Sequence, residues 1–181
     1  MSVAVILAGG KSSRMGFDKQ TIRIGQKLIA VELADRISSL FDRVMIISNR
    51  PELYREECDY EVISDLIESK GPISGIYTGL VSAKDDRDDY VYFVACDMPN
   101  INMDYIEYMR SLMSDGSDVI STINDEYVET LNAFYRKSLI PFIERQIEEG
   151  RFSLRHIFDE NRVHLVERDV LRKFDPSNSM F

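Results

Sequence analysis

Seven short apolar runs rich in β-branched residues recur along this chain of 181 residues, at 3–7, 44–48, 61–63, 91–95, 118–123, 131–135 and 163–167. Between them fall stretches of helical periodicity at 28–41, 52–58, 73–83, 103–113, 139–149 and 154–158. A chain in which strand and helix alternate buries its apolar faces by laying helices on both sides of a mostly parallel sheet. The early runs are apolar at nearly every position, the pattern of central parallel strands covered on both faces. Run 131–135 is less clean, so an antiparallel strand in a mixed sheet is expected there. No internal repeat, low-complexity tract or linker-like stretch divides the chain, and residues 1–181 are expected to form one α/β domain of three layers.

Composition removes other classes. With 44% hydrophobic and 29% charged residues the chain is neither disordered nor a coiled coil. No apolar run is long enough to span a bilayer. The first run is short, has no basic region before it and ends in glycines, which argues against a secretory signal, so a cytoplasmic location is expected. Cys58 and Cys96 lack C-x-x-C spacing and His156 and His164 have no cysteine nearby, so no zinc site is expected and both thiols read as reduced, semi-buried groups. The run Asp85-Asp86-Arg87-Asp88-Asp89 reads as a solvated turn.

The formal charge is −9, yet residues 1–30 carry Lys11, Arg14, Lys19, Arg23 and Lys27 against Asp18 alone, a local +4 that leaves −13 for the rest. Such a chain repels nucleic acid as a whole, while a local basic cluster suits a small polyphosphate. The cluster surrounds the point where the run 3–8 breaks into Gly9-Gly10-Lys11-Ser12-Ser13-Arg14-Met15-Gly16-Phe17-Asp18-Lys19. Adjacent glycines let a backbone approach an anion closely, and Arg14 and Lys19 supply charge. It is not a P-loop, because Val5 stands where the first glycine of G-x-x-x-x-G-K-[ST] belongs, and Gly9, Gly10 and Gly16 do not make the dinucleotide fingerprint.

In open α/β sheets ligands sit at the carboxyl ends of strands, and three further strand ends carry chemistry. Cys96-Asp97-Met98-Pro99 puts a carboxylate just past run 91–95, where Mg²⁺, a hard ion that keeps waters and substrate phosphates as ligands, needs one or two carboxylates. A helix cap or turn aspartate before Pro99 is the alternative reading. Asn49 ends run 44–48. Asp65 follows run 61–63 and precedes Gly71-Pro72-Ile73-Ser74-Gly75, with Gly79 a helical turn later.

The pattern L-A-G-G-x-x-x-R-M-G-x-D-K from Leu7 to Lys19, followed in order by Cys-Asp-Met-Pro, resembles the two signatures of the molybdenum cofactor guanylyltransferases, the MobA family, and the likeness covers nearly the whole chain. The resemblance implies a Rossmann-like, glycosyltransferase-A-like nucleotidyltransferase fold. It implies transfer of GMP from GTP to molybdopterin, with pyrophosphate leaving and molybdopterin guanine dinucleotide as product. It places Leu7, Ala8, Gly9, Gly10, Lys19, Asn49, Asp65, Gly71, Gly75 and Asp97 against the nucleotide. Asp97 would hold Mg²⁺, and Arg14, Lys19 and Asp97 would carry the catalysis. Related cytidylyltransferases carry L-A-A-G where this chain has Leu7-Ala8-Gly9-Gly10, so Gly9 and the Gly71-Pro72…Gly75 segment favour guanine. Molybdoenzymes or their chaperones are the implied downstream partners, with no nucleic acid and no membrane.

Two segments depart from the family pattern. Thr130 takes the place of a proline in Glu129-Thr130-Leu131-Asn132-Ala133-Phe134-Tyr135, a segment similar to one on the acceptor side. In the tail Asn178 matches the second asparagine of F-x-N-x-N-T-P, but Pro176 replaces the first and Met180 the closing proline. A transferase using CTP or a sugar or polyol phosphate, and a non-catalytic nucleotide-binding adaptor for molybdoenzyme assembly, stay open as alternatives.

Overall fold

The computed structural model describes residues 2–9, 18–67, 70–177 and 180, and all side chains among them except that of Lys19. Nine strands are present among these residues: β1 (Val3–Leu7), β2 (Arg23–Ile24), β3 (Lys27–Leu28), β4 (Arg43–Ile47), β5 (Glu61–Ile63), β6 (Tyr90–Ala95), β7 (Val119–Asn124), β8 (Tyr127–Arg136) and β9 (Val163–Glu167). The helices are α1 (Ile29–Ile37), α2 (Pro72–Ser82), α3 (Met103–Ser111), α4 (Ile140–Glu148), α5 (Arg155–Glu160) and α6 (Arg168–Phe174). Seven strands form one sheet in the order β5-β4-β1-β6-β8-β7-β9, and β2 and β3 form a separate hairpin. β8 runs antiparallel to both of its neighbours, while the other pairings in the large sheet are parallel.

Alternation along the strands builds the layers. Ala4 and Ile6 of β1 and Tyr92 and Val94 of β6 face a core shared with α1, α3 and α6. Val3, Val5 and Leu7, with Val91 and Phe93, face a second core shared with α2, α4 and α5. Successive side chains of a strand point to opposite faces, so a strand buried on both sides is apolar throughout, as β1 and β6 are. Two buried hydroxyls of this core are partnered across elements: Tyr92 donates to Asn132 Oδ1 at 2.5 Å, and Tyr105 and Thr122 share a bond of 2.6 Å.

Differences from the sequence reading have local causes. The helix expected at 52–58 is a single 3₁₀ turn, Pro51–Tyr54, with only Tyr54 buried. Helix 28–41 stops at Ile37, and α6 and the β2–β3 hairpin were not anticipated. α6 is seven residues long with only Leu171 buried, too short for its periodicity to stand out. The acidic turn at 85–89 does structural work, since Asp86 accepts from Arg43 at 2.8 Å. Among the described residues no helix is long and apolar enough to cross a membrane.

Candidate active site

Strand order reverses at β1, which has β4 on one side and β6 on the other. Crossovers leave the sheet in opposite directions there and open a crevice at the carboxyl ends of the strands. Main-chain bonds tie these ends together. Ile47 O accepts from Ala8 N at 2.9 Å and Gly9 N at 3.1 Å, Cys96 N donates to Leu7 O at 3.1 Å, and Ser48 N donates to Ile63 O at 3.0 Å.

Those bonds correct one expectation. The backbone at Gly9 is expected to approach an anion, but its amide donates to Ile47 O. Leu7 and Ala8 bury their side chains on opposite faces of the sheet, which leaves main-chain atoms for any contact with a nucleotide. A methyl group added at Gly9 would lie 3.6 Å from Asn49 Nδ2, an ordinary contact. Gly9 therefore keeps space open beside the Asn49 amide, and packing does not demand it. Gly10 and Arg14 lie outside the described residues, as do the Lys19 side chain and Asn178.

Gly71 and Gly75 have structural reasons of their own. Gly71 has φ of +80° immediately before Pro72 opens α2, a conformation that favours glycine. A Cβ at Gly75 would come within 2.8 Å of Leu7 Cδ2, so its missing side chain lets α2 approach β1.

Asp65 lies two residues past β5, in a loop fastened to α2 by Leu66 N donating to Thr78 Oγ1 at 3.0 Å. Its Oδ1 is buried with no hydrogen-bond partner, and burial pushes the carboxyl up to about 6. An unsatisfied buried oxygen costs about 1–3 kcal/mol, which a ligand N–H would recover. Linkage gives the sign. Below the ordinary value of 3.8 the group is protonated in folded and unfolded chains alike, and between there and about 6 only the unfolded chain ionises. Stability therefore falls as pH rises through this window. Asp65→Asn should stabilise the protein at about pH 8 by the order of 2 kcal/mol after allowance for residual exposure, raising Tm there, and leave Tm unchanged near pH 3.5, as thermal melts at both values will read.

Asp97 stands exposed just past β6. The helix-cap alternative is answered by Asn102, whose side chain accepts from Tyr105 N at 3.0 Å and caps α3. Arg36 of α1 holds the intervening loop by donating to Pro99 O and, at 3.1 Å, to Ile101 O.

Glu129 is the residue that sequence reasoning left outside the site. It is 9% exposed on β8, and its Oε1 accepts from Leu131 N at 3.0 Å. Burial raises its carboxyl, backbone hydrogen bonds oppose the rise, and the negative charge of Asp97 adds to it. The carboxylate of Asp97 is a hard oxygen donor of the kind a divalent cation takes. Among the described residues no three His, Cys, Asp or Glu converge as a dedicated cage.

A family model, the MobA-like NTP transferase domain, matches residues 4–165. The chain belongs to this family. Its relatives include a probable molybdenum cofactor guanylyltransferase of Peptoclostridium acidaminophilum, 41% identical over 98% of this chain and 81% of that protein. The molybdenum cofactor guanylyltransferase of Syntrophotalea carbinolica is 44% identical over 98% of this chain and 83% of its own. Among solved structures, molybdopterin-guanine dinucleotide biosynthesis protein A from Archaeoglobus fulgidus superposes with a TM-score of 0.84 over 99% of this chain and 90% of that one, at 23% identity. The family's fold is thus the fold described above, and the chain is a nucleotidyltransferase by membership.

Proposed function

We propose that the protein transfers GMP from GTP to molybdopterin, forming molybdopterin guanine dinucleotide and releasing pyrophosphate. The observation that carries this reading is the convergence of Gly9, Asn49, Asp65 and Asp97 on the carboxyl edge of β1, β4, β5 and β6, in a chain 41–44% identical to the two guanylyltransferases named above.

A terminal phosphate oxygen of the acceptor attacks the α-phosphorus of GTP, the new P–O bond forms opposite the bond to the β-phosphate, and that bond's electron pair leaves with pyrophosphate. An acceptor phosphate is already ionised near neutral pH, so no general base or covalent intermediate is needed. The protein has to align two anions and offset their charge. Arg14 and Lys19 supply positive charge at the triphosphate. The Asn49 amide and the buried Asp65 carboxylate contact the nucleoside, where a carboxylate accepts from the N–H groups that guanine presents and cytosine does not match. Mg²⁺ bound at Asp97 would neutralise phosphate charge. The reaction is placed in the cytoplasm, with molybdoenzymes or their chaperones receiving the product.

The test is incubation of the purified protein with Mg²⁺, molybdopterin and each of GTP, CTP, ATP and UTP, reading pyrophosphate release and dinucleotide product. GTP-selective product is expected. Selectivity for CTP would overturn the guanine assignment, and nucleotide binding without turnover would make the chain an adaptor.

A further inference from the structure

Four side chains close a ring beside the site. Arg50 Nη1 donates to Asp18 Oδ2 at 2.8 Å, and Asp18 Oδ1 accepts from Gln20 N at 3.0 Å. Ser48 donates its hydroxyl to Gln20 Oε1, and Ser48 Oγ accepts from Arg50 N at 2.9 Å. Ser48 and Gln20 are 0% and 5% exposed, so this half of the ring is dry, while the Asp18–Arg50 half faces solvent. The members alternate along two segments, Asp18-Lys19-Gln20 and Ser48-Asn49-Arg50. The residue enclosed on each segment, Lys19 on one and Asn49 on the other, is a nucleotide residue in the reading above.

We infer that this ring is a positioning device: it fixes the backbone of Lys19 against that of Asn49, so that the two residues assigned to the triphosphate and the nucleoside spring from backbone held at one spacing. Lys19 opens the 3₁₀ turn Lys19–Thr21, which is held further by Asp18 O accepting from Thr21 N at 3.1 Å and Thr21 Oγ1 at 2.8 Å. The other side of the ring hangs from the end of β4, whose strand ladder is rigid. An exposed ion pair contributes little to stability, so Asp18–Arg50 is poorly explained as a fold stabiliser. Its placement also neutralises Asp18, the one acidic residue within the basic first 30, where a bare carboxylate would repel a polyphosphate.

The inference rests on the guanylyltransferase reading, and a double-mutant cycle separates the two. Arg50→Ala and Ser48→Ala are each expected to lower kcat/KM for GTP about tenfold, mostly in kcat, because misplacing a charged group by a fraction of an ångström costs of that order. In a Lys19→Ala background Arg50→Ala should cost less than about twofold, since groups that act through one another are not additive. Arg50→Lys, which keeps the charge and one donor, should recover part of the loss. Tm of Arg50→Ala should stay within about 2 °C of the wild type, so the kinetic loss cannot be ascribed to unfolding. Equal losses in the two backgrounds, or full activity in Arg50→Ala and Ser48→Ala, would overturn the ring's role and leave the guanylyltransferase reading intact. Full turnover by Lys19→Ala would overturn the assignment of Lys19 and the inference with it. Absence of GTP-dependent product from the wild type would instead sink the underlying reading.

Discussion

Asp97→Ala should abolish GMP transfer while leaving the protein folded, with kcat falling about 1,000-fold, or about 4 kcal/mol of transition-state stabilisation. The residue is exposed in a short turn past β6, and caps no helix, since Asn102 caps α3. Its removal therefore costs little stability, and Tm should move by no more than about 2 °C. What it removes, in the reading proposed above, is the carboxylate that would anchor a cation and so offset phosphate charge. Glu129 remains, but it is buried and its Oε1 is engaged by Leu131 N. Excess Mg²⁺ should therefore fail to restore the rate. The measurement is single-turnover formation of dinucleotide at saturating GTP across a Mg²⁺ titration. Turnover above about a tenth of wild type would remove Asp97 from the machinery, since even one lost electrostatic contact usually costs more.

Gly79→Val should be the most damaging small substitution in the fold, costing about 3 kcal/mol, the upper end of ordinary overpacking. A Cβ at Gly79 would already sit 2.5 Å from Phe93 Cε1 and 3.0 Å from Val5 Cγ2. Neither neighbour can yield. Phe93 is fully buried and meets Tyr135 edge to face at 5.6 Å, and Val5 lies on the central strand β1. The valine would lever α2 off the sheet, and with it the Asp65 loop bonded to Thr78, one residue away. In a chain of this length the expected fall in Tm is about 6–12 °C. Thermal melts followed by circular dichroism read it, and an unchanged Tm would show that α2 shifts freely. Nucleotide affinity should fall as well, because Asp65 moves with α2.

Much of this architecture is legible along the chain. All seven strands of the large sheet overlap apolar runs, most plainly β1 and β6, where burial on both faces leaves no position for an exposed polar side chain. Asp97 stands out for a related reason: a carboxylate directly after the buried run Tyr90–Cys96 marks where the chain leaves the sheet. The irregularity at 131–135 also has a visible cause, since β8 runs antiparallel and its register with β7 shifts between Ile120 and Thr122. There Asn132 adopts φ of +58°, a conformation open to asparagine more than to most residues.

Other features leave no local mark. Gly75 reads as a glycine beside a nucleotide and Gly79 as one a helical turn later, whereas their neighbours Leu7, Val5 and Phe93 come from strands far away in sequence. The segment from Glu129 reads as one on the acceptor side, but nothing in it announces that β8 inserts beside β6, where Glu129 feels the charge of Asp97. That the Gly9 amide donates to Ile47 O depends on a strand much further along the chain. The ring of Asp18, Gln20, Ser48 and Arg50 joins segments about 30 residues apart.

Residue patterns alone establish the α/β class, the seven strands, and the strand ends at Gly9, Asn49, Asp65 and Asp97, because periodicity and chain-leaving polar residues are properties of neighbours along the chain. Strand order, the antiparallel β8, the Glu129–Asp97 pair and the ring around Lys19 and Asn49 emerge only in three dimensions. Each depends on which distant backbone satisfies a given N–H or C=O once both faces of the sheet are covered, and that choice is made by the packing of the whole core.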